Sequence, residues 1–177
     1  MKKITLLLVI VAVMCLMVST GNAQWEKEKS FLGPRLGIGI HGSGIAFGAG
    51  YEYGVTEDIG VGALVDYYTW STEGWGAYGG KYTYIVIGAQ GNYHLAKVLK
   101  WDASKLDPFV GVVLAYESVS WSWDDDPGTS YGWSATASGI TFGGQAGLRY
   151  FLSPSVALYG QVGFGVTYLK AGVDFKF

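Results

Sequence analysis

Two groups of residues in the sequence are of types that carry out hydrolysis or bind cations. In the first group, His41 and Ser43 place a general base two residues from a nucleophile. A hydrolytic triad also needs a carboxylate within hydrogen-bond reach. Glu52 lies about nine residues beyond Ser43, or roughly 30 Å along an extended strand. Glu117 could approach from another strand, but nothing in the sequence brings it there, so a polar hairpin tip is the favoured interpretation.

The second group is a run of carboxylates flanked by aromatic rings. Exposed aromatic residues commonly serve binding, and the carboxylates could hold a hard divalent ion. A calcium loop spaces its ligands and fixes a glycine, which this run does not do, so no metal site is predicted. The favoured alternative is that the rings extend an interfacial belt and the carboxylates are solvated. The possible surface-binding loop comprises Trp121, Trp123, Asp124, Asp125, Asp126, Tyr131 and Trp133.

The N-terminus has the composition of a secretory signal peptide. Two lysines precede an apolar run over residues 4–18, and Gly21 and Ala23 are the small residues that a signal peptidase recognises. We therefore predict that cleavage removes residues 1–23. A retained anchor is less favoured because a spanning helix needs roughly 20 apolar residues. Cleavage also removes Cys15, the only cysteine, which excludes a disulfide framework and thiol catalysis.

The composition of the remaining chain excludes several functions. Cleavage removes two of the 12 basic residues and none of the 14 acidic ones, leaving a net charge of −4 and no basic surface for nucleic acid. Two histidines in all and no phosphate-binding glycine loop predict neither a zinc site nor a cofactor. Aromatic residues are 16 % and charged residues only 15 %, against about 25 % charged in average proteins. An exported chain of this kind, without a long apolar helix, indicates a β-barrel.

Eight segments alternate large apolar residues with small or polar ones at period two, as β-strands do. The polar face is mostly Gly, Ala, Gln and Tyr, whereas the surface of a soluble protein is about 25–35 % charged. We therefore predict an all-β, eight-stranded antiparallel up-and-down transmembrane β-barrel whose aliphatic face contacts lipid. A soluble barrel is the distant alternative. The segments are residues 35–41, 45–53, 59–70, 82–94, 109–119, 140–150, 156–165 and 167–177.

The charged residues of these strands all lie on the face opposite the aliphatic residues. An eight-stranded interior is about wide enough for side chains to fill it, so ion pairs that plug the lumen are favoured over a narrow conducting path. Arg35 and Glu52 are predicted to lie diagonally across the first hairpin. The predicted lumen network comprises Arg35, Glu52, Asp66, Glu117, Arg149, Lys170 and Asp174, with Lys176 on the same face.

Outward aromatic residues are predicted to form a girdle at each membrane interface. An even number of strands brings both chain ends to one side, where residues 95–108 form a long turn that could be a short amphipathic helix. One girdle comprises Tyr51, Tyr53, Tyr93, Tyr150, Phe175 and Phe177, and the other comprises Tyr67, Tyr116 and Phe164.

With these features the chain resembles the small eight-stranded outer-membrane β-barrel family, which includes OmpX-like proteins, the transmembrane domain of OmpA and opacity-type porin-family proteins. The resemblance is carried by the signal peptide, by residues 106–116 and 147–165, and by the terminal VDFKF. In that family the outer-membrane assembly machinery reads a C-terminal strand ending in Phe. The resemblance therefore implies that Phe175 and Phe177 are the assembly signal.

The resemblance also implies a location in the outer membrane of a Gram-negative cell envelope, in contact with membrane lipid and lipopolysaccharide. Residues 24–34 are then a periplasmic N-terminal segment and residues 35–177 the barrel domain. We expect a monomer with a structural or surface-interaction role and no catalytic activity. A small porin-like channel is the alternative. A lipid A-modifying enzyme is a second alternative, because some outer-membrane barrels deacylate lipid A with a His-x-Ser pair and a Glu.

Overall fold

The computed structural model describes residues 24–39, 44–72, 80–101, 105–123 and 134–177. Eight antiparallel strands close into a barrel in chain order, with the last strand paired to the first. The predicted all-β, up-and-down architecture is therefore confirmed. The strands are β1 (Ser30–Gly39), β2 (Ile45–Gly54), β3 (Ile59–Thr72), β4 (Gly80–His94), β5 (Leu106–Trp123), β6 (Ser134–Ser153), β7 (Val156–Phe164) and β8 (Thr167–Lys176).

All eight predicted segments are strands, but six of them extend beyond their predicted ends, and three of these (β1, β5 and β6) do so by three residues or more. β1 begins five residues earlier, and β5 and β6 together occupy half of the predicted loop over residues 120–139. The backbone ladder there continues as far as the pair Ser122 and Ser134. The prediction stopped short because serine, threonine and alanine replace the large apolar residues in this part, so the alternation loses its contrast while the backbone pairing persists.

The long turn between β4 and β5 does not form the predicted helix in its described part, residues 95–101. One helical hydrogen bond joins Leu99 N to Leu95 O at 2.9 Å, and Lys100 has a positive φ of 54°, which ends the turn. A single turn is too short for cooperative helix formation. The described residues contain no helix that is long and apolar enough to cross a membrane.

The strand alternation sorts the side chains to two faces, and the outer face is the apolar one. In β2, for example, Ile45 and Phe47 are exposed while Ala46 and Glu52 are buried. The aromatic residues predicted for the two girdles are exposed as well, except Phe175, which is half-buried. An exterior of exposed aliphatic and aromatic residues is the opposite of a soluble surface and suits lipid.

Tyr168 departs from the predicted alternation. The alternation of residues 167–177 puts Tyr168 on the same inward face as Lys170 and Asp174, but Tyr168 is exposed next to the exposed Leu169. The register between β1 and β8 shifts here, because Ile38 pairs with Leu169 while Gly39 pairs with Thr167. Tyr168 is the extra residue of this β-bulge, so the inward position passes to the buried Thr167.

The seam between β1 and β8 depends on a close approach at Gly33. A Cβ atom at this position would overlap the backbone oxygen of Val173. We expect Gly33→Ala to lower the free energy of unfolding by about 1–3 kcal/mol, since the strands must separate to admit the methyl group. Gly91→Ala is the matched control, because a Cβ there meets nothing within 4 Å. Urea unfolding of both variants tests this, and equal midpoints would contradict it.

Candidate functional site

The charged residues predicted for the lumen lie inside the barrel. Six of the seven side chains are buried and the seventh, that of Glu117, is half-buried. Charged groups avoid burial unless they are paired, so their partners determine what this interior can do. The buried six are Arg35, Glu52, Asp66, Arg149, Lys170 and Asp174.

Arg149 on β6 is the centre of the network. Its side chain is 0 % exposed, and its guanidinium pairs with Glu52 on β2 and with Asp174 on β8, whose Oδ2 lies 2.7 Å from Nε. Asp107 on β5 lies 3.5 Å from Nη1. One guanidinium thus joins three carboxylates from three strands and reaches across the barrel from β6 to β2. Charge-assisted contacts of this kind are the strong ones inside proteins.

Arg35 joins the network through Asp174, so the predicted diagonal pair of Arg35 and Glu52 was wrong. The register between β1 and β8 places Arg35 opposite Gly172, one inward position from Asp174, with which it forms an ion pair. On the other side, the register of the first hairpin places Phe31 opposite Glu52. Arg35 is therefore too far along β1 to reach Glu52, which pairs with Arg149 instead.

Two members of the network were not predicted as site residues, namely His94 and Asp107. His94 Nδ1 lies 2.8 Å from Asp107 Oδ1, and Nε2 lies 3.2 Å from Glu52 Oε1. The alternation of the predicted segment 82–94 puts His94 on the inward face, opposite Ile85 and Ile87. Asp107 was missed because β5 was predicted to begin at Phe109; extending the alternation by two residues would have found it.

Side-chain amides complete the partners of Glu52. Asn92 Nδ2 donates to Glu52 Oε1 at 2.9 Å, and Gln145 Nε2 donates to Asn92 Oδ1 at 2.6 Å. Within the part of the chain that the structure describes, no three His, Cys, Asp or Glu side chains are grouped so that they could hold a metal ion. The buried charges pair with one another, although Arg149 Nη1, 3.5 Å from Asp107 Oδ2, has no hydrogen-bond partner among the described residues.

Farther from the chain ends, the lumen changes from charged to apolar. Lys170 and Asp66 form a separate ion pair at 2.6 Å. Beyond it, the rings of Tyr68 and Tyr84 stack with centroids 4.5 Å apart. Glu117 makes no ion pair with any described residue, and its buried Oε1 has no hydrogen-bond partner among them. The apolar cluster comprises Ala46, Leu64, Tyr68, Tyr84, Val86, Val113, Ala115 and Val166.

The segment before β1, residues 24–29, lies across the barrel mouth next to the chain ends. The Trp25 ring stacks on His94 and on Phe31, with centroids 3.5 and 5.0 Å away. Lys176 Nζ donates to the backbone oxygen of Gln24 and to Glu26 Oε1, at 3.1 Å each. The strand pattern offered no sign of this closure, because the segment is too short and irregular to show a period.

The two aromatic residues that the resemblance implies as an assembly signal lie at the end of β8. Phe177 is exposed, and its backbone exchanges hydrogen bonds with that of Ser30, at 3.0 and 2.9 Å. Phe175 pairs with Leu32 on β1 and with Val156 on β7. The last residues therefore belong to the seam that closes the barrel.

A cleft of about 300 Å³ opens beside Trp25 and is lined in part by Asp107 and the β4–β5 turn. At its rim Lys97 contacts Glu57; this contact holds the pKa of Glu57 below its usual value and raises the pKa of Lys97. Both groups are exposed, so the pair contributes little to stability. That contribution is present above the unfolded pKa of Glu57 and is lost as the pH falls through the folded one.

At the opposite end, β3 to β6 extend beyond the other four strands. β6 begins at Ser134 but pairs with β7 only from Gly144 onwards. Trp70, Tyr82 and Trp121 form one cross-strand row on this extension, with ring centroids 5.4 and 6.1 Å apart. Of the other residues of the possible binding loop, Trp123 ends β5, whereas Asp124, Asp125, Asp126, Tyr131 and Trp133 lie outside the described residues, as do His41 and Ser43.

No protein-family model and no curated protein sequence matches the chain. Solved structures do match it. The N-terminal β-barrel domain of Pseudomonas aeruginosa OprF is 13 % identical with a TM-score of 0.59, over 85 % of this chain and 98 % of that one. This chain has the fold of the eight-stranded outer-membrane β-barrels. Two further barrels of this fold support that assignment.

The first is Ail, the attachment invasion locus protein of Yersinia pestis, at 14 % identity and a TM-score of 0.55, over 86 % of this chain and 100 % of that one. The second is a major outer membrane protein of Thermus thermophilus, at 15 % identity and a TM-score of 0.60, over 84 % of this chain and 99 % of that one. Identities this low establish the shared fold alone. In an outer-membrane barrel the outer face contacts lipid, and the exposed apolar face of this chain has the composition that such contact requires.

Proposed function

We propose that the protein is an outer-membrane barrel without catalytic activity whose lumen is closed to ions, and which acts as a structural or surface-interacting component of the cell envelope. The fold and the predicted signal peptide support the location. Membrane lipid, lipopolysaccharide and the assembly machinery are its proposed partners. The observation that carries the closed lumen is the fully buried Arg149, bound to carboxylates from three strands.

The lumen is obstructed at three levels. Trp25 lies across one mouth, the Arg149 cluster fills the section beside it, and the stacked rings of Tyr68 and Tyr84 occupy the apolar section beyond. A hydrated ion would have to shed water while displacing charges that are already neutralised in pairs. Apolar constrictions add a dewetting barrier. These features favour the closed barrel over the small-channel alternative.

Conductance measurement tests this proposal directly. We expect the mature chain, refolded in detergent and shown to be folded by heat-dependent gel mobility, to produce no single-channel steps in a planar bilayer. A porin of known conductance in the same bilayers serves as the positive control. Steady steps from the folded protein whose size changes in Glu52→Ala would contradict the proposal and identify a small porin.

The surface-interacting part of the proposal rests on the extension of β3 to β6. The row of Trp70, Tyr82 and Trp121 lies where the opposite wall has already ended, so its rings are only partly covered. Rows of rings of this kind are common at binding surfaces. Ail, whose barrel has the same fold, is named for attachment and was also solved with sucrose octasulfate, a heparin analogue. The lipid A-modifying alternative has no comparable support.

A further inference from the structure

We propose that the turn between β4 and β5 is a docking surface for anionic phospholipid at the membrane interface on the side of the chain ends. This surface, the basic turn, comprises residues 95–101 and Lys105. The inference rests on the proposed function, since it requires the barrel to span a membrane. To the proposed contact with membrane lipid it adds the class of lipid that is bound and the side chains that bind it.

The basic turn exposes more apolar surface than a turn in water needs. Val98 is 60 % exposed, Leu99 is 45 % exposed and Trp101 is 43 % exposed, all within four consecutive residues. Turns are usually polar, and a contiguous exposed apolar patch marks a surface that binds something. Burial of this patch would be favourable in proportion to its area.

The position of the basic turn indicates which apolar environment covers this patch. Tyr93, an exposed member of the girdle next to the chain ends, comes two residues before Leu95. The Leu95 amide still donates to the Pro108 oxygen at 2.7 Å, so the turn leaves the barrel wall at that point. Two residues of strand span roughly 7 Å. The basic turn therefore begins at headgroup depth, where Trp and Lys residues are favoured.

The charge of the basic turn selects the headgroup. Its described residues carry three exposed lysines and no acidic side chain. Lys97 contacts Glu57 and lies 3.9 Å from Asp58 Oδ1, whereas Lys100 and Lys105 form no ion pair within the described residues. Asp102 is the one acidic residue in the sequence between Leu95 and Lys105, and it lies outside the described residues. Two lysines without an ion pair there, beside an apolar patch, fit the phosphate groups of anionic lipids.

The test uses the mature chain refolded into vesicles of phosphatidylcholine with or without phosphatidylglycerol. Brominated forms of each lipid quench the fluorescence of a nearby tryptophan. The fluorescence of Trp101→Phe, which comes from the other tryptophans, is subtracted from that of the wild type to isolate Trp101. We expect quenching of Trp101 by both lipids and a preference for phosphatidylglycerol of about fivefold that falls as salt is added. The salt dependence is measured on the wild type, so it needs no variant.

Lys100→Gln combined with Lys105→Gln should reduce that preference to about one, because only lysines that are not already neutralised attract the headgroup. Lys27→Gln is the matched control, since Lys27 is an exposed lysine at the same mouth that already pairs with Glu28. An unchanged preference in the double variant, or a Trp101 quenched by aqueous acrylamide but by neither lipid, would overturn the inference. Heat-dependent gel mobility is recorded throughout; a wild type that does not fold into vesicles would count against the barrel itself.

Discussion

Replacing Arg149 with methionine is expected to lower the free energy of unfolding by about 3–5 kcal/mol. Methionine preserves much of the length and packing of arginine but removes the one cation that, among the described residues, contacts Glu52, Asp107 and Asp174 together. Asp174 retains Arg35, and Glu52 and Asp107 retain His94, yet each carboxylate loses an ion pair with a fully buried guanidinium. Breaking a buried pair costs far more than forming it contributes, because an uncompensated charge stays in the interior.

Urea unfolding of the refolded protein, followed by tryptophan fluorescence, measures this effect. The control is Lys97→Met, which removes a lysine from the exposed contact with Glu57. Exposed pairs contribute little, so the control should unfold at the wild-type midpoint. A midpoint for Arg149→Met that matches the control would mean that water reaches the cluster, which would also weaken the argument for a closed lumen.

Much of this interior could be predicted from the sequence, because alternation at period two sorts side chains without any knowledge of pairing. Arg149 and Asp174 were assigned to the lumen on that basis, and so was the inward position of His94. Alternation says nothing about height along the barrel axis, which depends on register. This is why Arg35 was paired with Glu52 in the prediction and with Asp174 in the structure.

Other features could not be predicted because their causes are not local. The bulge at Tyr168 arises from the pairing of β8 with β1, which are separated by nearly the whole chain. The long extensions of β5 and β6 keep their backbone pairing although large apolar residues no longer alternate with small or polar ones in their sequence. The docking of Trp25 depends on His94 and Phe31, and no periodic signal links a short irregular segment to a strand end far along the chain.

That docking leads to the second large effect. Trp25→Ala is expected to destabilise the closed mouth by about 3 kcal/mol, because it removes a nearly buried ring that stacks on His94 and Phe31. The loss is local, since residues 24–29 are held by the ring, by two hydrogen bonds from Lys176 and by backbone hydrogen bonds of Glu28 and Lys29 with Gly54. When a segment opens only transiently, its rate of proteolysis is proportional to the fraction of molecules in which it is open. Trypsin cleavage after Lys27 should therefore accelerate by up to about a hundredfold, the factor that corresponds to ~3 kcal/mol.

Mass spectrometry of timed digests separates this effect from general loosening of the barrel. Cleavage after Lys100, on a turn at the same mouth, serves as the internal reference and should keep its wild-type rate. Trp25→Phe preserves a ring in the stack and should stay within about tenfold of the wild type. If cleavage after Lys27 and after Lys100 accelerated equally in Trp25→Ala, the ring would be stabilising the whole barrel end. If neither changed, the segment would be held by its backbone contacts, and Trp25 would not be what closes the mouth.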